Sequence, residues 1–442
     1  MDRDRAACRS VAEELIDFLE KSPTCFHAVA NMAQILEREG FEELREEEAW
    51  KLKEGGNYYV VRNQSSLIAF RLPSGKFNSF HILSSHSDSP TFKIKENPEM
   101  ESEGQYIRLN VEKYGGMLCA PWFDRPLSVA GRLVVEENGR LISRLVKVDR
   151  DLVMIPNLAI HMNREVNDGY KYNPQVDMLP LYGGAEDKGT FLRTVAESAG
   201  VKAEDILSHD LFLYNRMPGS IWGGSEEFVS CGRLDDLQCA FASLKGFLTG
   251  SHPECVPVHA VFDNEEVGSL TKQGADSTFL EDTLRRINQA AGRSEEEYLM
   301  ALASSFMISA DNAHAVHPNK SDKADPTNRP YMNQGIVIKY NANQKYTTDA
   351  VSAALFKTLC RRAGVSYQTF ANRSDIAGGS TLGNLSNAHV SLNTVDIGLP
   401  QLAMHSPYET AGIYDTCDLI RVAGLFFGSC TRALGQGNYE IL

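Results

Sequence analysis

Apolar and polar positions alternate with two different periods along this chain. Near the start the period is helical: Leu15, Phe18 and Leu19 share a face, and the spacing predicts helices over roughly 4–20 and 25–39. The turn Ser22-Pro23-Thr24 separates them and Gly40 closes the second. Strand-like runs follow at 58–62, 66–72 and 79–85. Between about 95 and 225 the texture changes to short strand-like segments, such as "RLVVEENGRLISRLVKV", broken by Gly/Pro/Asn-rich turns. After 230 strand and helix alternate again: helix 236–249, strand 256–263, helix about 275–292, strands 305–310 and 335–340, helix 349–363, strand 392–397 and helix 416–433. Such alternation predicts an α/β domain with a mostly parallel central sheet flanked by helices. The expected catalytic domain is therefore residues 1–94 and 226–442, split by an inserted β-rich domain over 95–225.

A length of 442 residues exceeds the usual reach of one core, which agrees with two domains. The formal net charge of −14, without a Lys/Arg-rich run, argues against nucleic acid or an anionic membrane as partner. No apolar run approaches the ~18 residues of a membrane span, and the N-terminus reads as an amphipathic helix rather than a signal peptide. Nine scattered cysteines without a CxxC pair suggest reduced thiols and a cytoplasmic setting.

Candidate chemistry gathers at the strand ends. "SFHILSSHSDS" runs out at His86 and Asp88, "VHAVFDNEEVG" at Glu265 and Glu266, and "SFMISADNAH" at Asp311. "NTVDIGLPQLAMHS" leads to His405, and "SCGRLDDLQCA" places Asp235 and Asp236 at a helix start. An isolated Glu-Glu pair is usually a solvated turn. Several buried strands delivering His and carboxylate side chains to one end of a sheet point instead to a metal centre. Two histidines and several carboxylates exceed the needs of one tetrahedral zinc and suit two divalent ions, Zn²⁺ first, with Co²⁺ or Mn²⁺ as alternatives. The motifs HExxH, GxSxG and the P-loop are absent. "GGSTLG" lacks the P-loop lysine and reads as a loop approaching the site.

Eight segments in order, "SSHSDSP", "LAIHMNREVNDG", "GRLDDL", "DNEEVGS", "SADNAHAVHPN", "VIKYNANQKY", "GGSTLG" and "PQLAMHS", resemble the M18 metallopeptidases, the aspartyl aminopeptidase family. The resemblance implies a co-catalytic zinc exopeptidase fold with an inserted dimerisation domain, in a homo-oligomer that is usually a tetrahedral dodecamer. By that pattern Asp235 bridges two metals, Glu266 and His405 complete one site, and His86 and Asp311 complete the other. Glu265 falls on the general base and Asp88 on the carboxylate orienting His86. His161 matches a histidine that enters a neighbouring subunit's active site, and Lys339 matches a lysine that meets an acidic substrate side chain. By residue type alone His161 reads as a structural histidine and Lys339 equally as a solvated strand end. His314 and His317 stay outside the implied shell. Asp236 stands where the family more often has Asn, and Ala324 where a histidine is expected. The implied activity is removal of N-terminal residues, preferably Asp or Glu, from peptides. Alternatives are the same chemistry on neutral or hydrophobic N-termini, or a non-catalytic metal-bound assembly protein.

Overall fold

A computed structural model of the chain describes residues 4–442. Helix Arg5–Lys21 starts where the Asp4 carboxylate accepts a hydrogen bond from the Ala7 N–H at 3.1 Å. Its stripe of Ala12, Leu15 and Leu19 is fully buried. The second helix is Cys25–Arg38.

The centre is a nine-stranded sheet in which five of the eight neighbouring pairs are parallel. The middle strands Ser79–His86, Cys255–Phe262 and Phe306–Ala310 are buried along their whole length. Covered on both faces, they tolerate nearly continuous apolar runs. Successive side chains alternate between two cores. Leu83, Val261 and Ile308 face the helices Arg5–Lys21, Leu234–Thr249 and Ile413–Phe427. Ile82, Ala260 and Met307 face Phe279–Ala290 and Glu295–Ser304. Ser79–His86, Cys255–Phe262, Phe306–Ala310 and Asn393–Gly398 run the same way, so their carboxyl ends form a common rim, while Ile336–Tyr340 and Tyr367–Ala371 run opposite to them.

A separate six-stranded antiparallel sheet is built from Thr91–Ser102, Tyr106–Tyr114, Leu127–Glu137, Arg140–Lys147, Leu181–Gly184 and Ile206–Asn215. It has its own core, which includes Phe92, Trp122, Leu133, Ile155, Phe191 and Leu213.

Several elements differ from expectation. The last helix ends at Phe427 rather than near 433. Ser429 Oγ donates back to the Leu425 carbonyl at 2.6 Å, and the chain turns into the hairpin Thr431–Gly435/Asn438–Ile441. The helix expected from about 275 begins at Phe279, because Ser277 Oγ holds a turn against the Gly274 carbonyl at 2.7 Å. Strand Tyr367–Ala371 pairs parallel to Ile336–Tyr340 at the sheet edge. Its exposed and half-buried residues hid it from a hydrophobicity pattern.

Candidate metal centre and substrate pocket

His86 is the last residue of the strand Ser79–His86, and Asp311 directly follows Phe306–Ala310. Glu265 and Glu266 open a single 3₁₀ turn just beyond Cys255–Phe262. Asp235 and Asp236 lie in the first turn of Leu234–Thr249 with non-helical backbone and a cis bond between them. Arg233, Asn264 and His405 have φ of +63°, +61° and +66°, a left-handed conformation that bends the chain at three approaches to the site. Gly398 packs against the Asp311 carbonyl, where any side chain would collide, so the neighbouring strand can seat Asp311 at the rim.

Three overlapping clusters result, one formed by His86, Glu265 and Glu266 and the other two meeting at Asp235. One donor atom each from His86, Asp235, Asp236 and Asp311 lie within 4.8 Å of one another, as do those of Asp235, Glu266 and His405. Asp235 belongs to both, with its two oxygens turned opposite ways. Oδ1 is 3.5 Å from His86 Nε2, and Oδ2 is 3.4 Å from His405 Nε2, which is also 3.4 Å from Glu266 Oε2. That is the disposition of a carboxylate able to bridge two ions. Asp235 Oδ1 and Glu266 Oε1 are buried without a hydrogen-bond partner, a costly state that a cation would relieve. The His/carboxylate donor set, free of thiolate, fits borderline divalent ions.

Electrostatics agree. Burial pushes the Glu266 carboxyl well up, and Asp235 adds to it. Burial alone would lower the His405 imidazole, but Asp235 outweighs it and carries it to about 9. Crowded carboxylates that raise one another call for positive charge.

Asp88 is buried beside His86, its Oδ1 3.3 Å from His86 Nδ1. It also accepts the backbone N–H of Glu265 at 3.1 Å and of Glu266 at 3.2 Å. Asp88 thus sets the histidine ring, whose Nδ1 is also 3.1 Å from the Asp88 carbonyl, and the glutamate turn together. A pocket of about 180 Å³ opens beside the clusters, lined by Glu265, Asp311, His314, Lys339, Tyr346 and the 379–381 loop. Lys339 is buried, with Nζ 3.5 Å from Asp311 Oδ2.

Residues 18–427 match the family described as aminopeptidase I zinc metalloprotease, M18. The chain belongs to the M18 zinc aminopeptidase family. It is 50% identical over 412 residues to the "Probable M18 family aminopeptidase 2" of Clostridium acetobutylicum, covering 91% of this chain and 95% of that protein. The protein of the same name in Pseudomonas aeruginosa UCBPP-PA14 is 43% identical, covering 94% and 97%. Among solved structures, that titled as the Ape4 and Nbr1 complex superposes with a TM-score of 0.93 at 36% identity, covering 97% of this chain and 87% of that one. The S. cerevisiae mApe1 dodecamer superposes at 0.83 with 29% identity, covering 94% and 96%. This M18 chain is therefore a metal-dependent hydrolase of the aminopeptidase class.

His161 of the M18 chain is not brought to the clusters or to the pocket. It lies exposed on the loop after Ile155, beside exposed Leu158, Ile160 and Met162. Two residues without an assigned sequence role stand behind the site. Glu409, buried, accepts from the Asp235 N–H at 3.0 Å and the His405 N–H at 2.7 Å, tying two candidate ligands together. Tyr114, from the six-stranded sheet, donates to Asp88 Oδ2 at 2.6 Å and accepts from Asn264 Nδ2 at 2.8 Å. Glu409 lies four residues past His405 and Tyr114 near no motif, and neither position reveals a hydrogen-bond partner. All nine cysteines are free thiols, and among the described residues no helix is long and apolar enough to cross a membrane.

Proposed function

We propose that this chain is a two-metal aminopeptidase preferring peptides with Asp or Glu at the N-terminus. The observation that carries the reading is the two-faced Asp235 carboxylate, shared by a His405/Glu266 cluster and a His86/Asp311 cluster. Asp235 would be the ligand shared by two ions, with His405 and Glu266 holding one and His86 and Asp311 the other. A bound pair of ions, zinc by family, would supply polarisation of the scissile carbonyl and an acidified water. Glu265, which lines the pocket, would serve as general base, its carboxylate accepting a proton from the attacking water and passing it to the departing amine. Its backbone is held by Asp88, which also orients His86.

Acidic preference rests on Lys339, a buried cation on the wall of the substrate pocket. A net charge of −14 repels an acidic substrate at long range, so selection must come from a short-range cation of this kind. The unit around the six-stranded sheet, residues 95–225 by sequence texture, is assigned to dimer formation. Its exposed Leu158, Ile160 and Met162 suit burial against a second copy. There His161 would enter the neighbouring site as a donor to the developing oxyanion. The dodecamer of the S. cerevisiae relative makes a dodecamer the assembly to look for.

The deciding experiment is hydrolysis of a panel of N-terminal residues by zinc-reconstituted protein. Faster turnover of Asp and Glu substrates is expected. A preference for Leu would remove the acidic reading and leave metal-dependent aminopeptidase chemistry in place.

A further inference from the structure

A second, larger cavity of about 430 Å³ lies behind the metal clusters, between the start of helix Cys25–Arg38, the six-stranded sheet and the rim of the central sheet. It shares no lining residue with the substrate pocket. Its volume falls within the roughly 300–1,000 Å³ of small-molecule sites.

Two donors on its wall lack an acceptor. Trp122 is 2% exposed, yet its indole Nε1 has no hydrogen-bond partner. Arg233 gives one Nη2 hydrogen bond to the Leu19 carbonyl at 2.9 Å, while its buried Nε has no partner. Among the described residues no carboxylate reaches ion-pair distance of that guanidinium. Two other cations on the wall are already engaged: Lys93 and Arg132 both bind Asp210, at 2.8 and 2.9 Å. Buried polar donors are nearly always satisfied, so unpaired Arg233 and Trp122 call for an acceptor, and a planar guanidinium favours a carboxylate. Elsewhere on the same wall stands buried Asp263, with Phe26, Tyr114 and Phe212 nearby. A buried carboxylate is a setting for an ammonium group.

We propose that this cavity binds a small zwitterion carrying an α-carboxylate and an α-ammonium, the first on Arg233 and Trp122 and the second toward Asp263. A free amino acid and a dipeptide share that chemistry. An aminopeptidase releases the former at every turnover, so the cavity is placed to sense product. Glu409 and Asp88 line it and hold Asp235, His405 and His86 from behind, giving an occupant a physical route to the metal ligands.

The test is calorimetric titration of zinc-loaded Glu265→Gln protein, which binds without turning over, with aspartate, aspartyl-glycine, the α-amide of aspartate and N-acetylaspartate. Aspartate or aspartyl-glycine should occupy a second site besides the active site, and the tighter of the two identifies the natural occupant. The α-amide and N-acetylaspartate, lacking the α-carboxylate and the α-ammonium respectively, should lose that second site. Adding Arg233→Met should weaken it by about ten-fold or more, the loss of a hydrogen bond to a charged group. Trp122→Phe, which keeps the ring and removes only the N–H, should weaken it several-fold and decides the matter if the Arg233 variant fails to fold. A single class of sites, or a second site indifferent to both substitutions, overturns the proposal.

Discussion

The strand Ser79–His86 carries two buried histidines with opposite behaviour. His81 lies among apolar side chains, stacked on Phe426 at 4.5 Å, with Nδ1 2.9 Å from the Phe426 carbonyl. Burial lowers its pKa to about 4, so it stays neutral. His86, five residues on and equally buried, faces Asp88 and Asp235, which overcome burial and raise it well above the ordinary value. The difference teaches that neither residue type nor depth marks a functional histidine. What marks it is where the strand ends. In the sheet interior the neighbours are other strands; at the rim, four separate segments can each place one carboxylate. His161, exposed on its loop, is a third case: it reaches none of the clusters, and only the proposed dimer would give it a partner.

The strongest test of the rim is its paired glutamates. Glu265→Gln should keep both metals and lose about 10²–10⁴-fold in turnover, the usual worth of a general base. Glu266→Gln should instead release metal, measured by elemental analysis of dialysed protein. The reverse pattern would exchange the two roles.

The loop is tested by mixing. His161→Phe should lower kcat by about 10²–10³-fold, as removal of an oxyanion donor does. Co-assembly of inactive Glu265→Gln and His161→Phe subunits should restore activity, since one mixed site combines an intact Glu265 with an intact His161. Mixed particles verified by mass that stay inactive would place the site within one chain.

Lys339 separates recognition from metal binding. Lys339→Met should lower kcat/KM for Asp and Glu substrates by about ten- to hundred-fold, from ~1.5–3 kcal/mol for a hydrogen bond to a charged group. Ala and Leu substrates should be unaffected or improved, with metal content unchanged. Equal losses on all substrates would assign Lys339 to support of Asp311.

Furthest from the chemistry, with no expected effect on turnover, are the interior histidines. His81 and His259 have pKa values lowered by burial from 6.5 to about 4 and about 3. Below pH 6.5 the unfolded chain binds protons that these folded residues refuse, so stability is full above 6.5 and falls toward pH 4. Each contributes a slope of about 1.4 kcal/mol per pH unit in that window. His259→Gln, which can still reach Ser243, should flatten the urea midpoint against pH. An unchanged slope would mean that His259 is not held neutral.

Much was legible along the chain because its cause is local. The central strands are apolar runs since both faces are covered, and their ends were visible where His86, Glu265 and Asp311 interrupt them. Edge strand Tyr367–Ala371 was not, because half-exposed edges carry no such contrast. The final hairpin was missed because Ser429 and Thr431 do not break an apolar helical pattern; hydrogen bonding to Leu425 and pairing with Ile441 do.

That His and carboxylate side chains gather at strand ends can be read from the sequence, since apolar runs that stop at such residues need a physical reason to do so. Which oxygen of Asp235 faces which histidine depends on chain segments about 150 and 170 residues away, brought in by parallel pairing and left-handed turns. Only the tertiary structure decides that. The same holds for Glu409 and Tyr114, whose value lies entirely in what they touch, and for the cavity at Arg233. An arginine's charge is written in the sequence; the lack of a partner for it is a property of the folded chain.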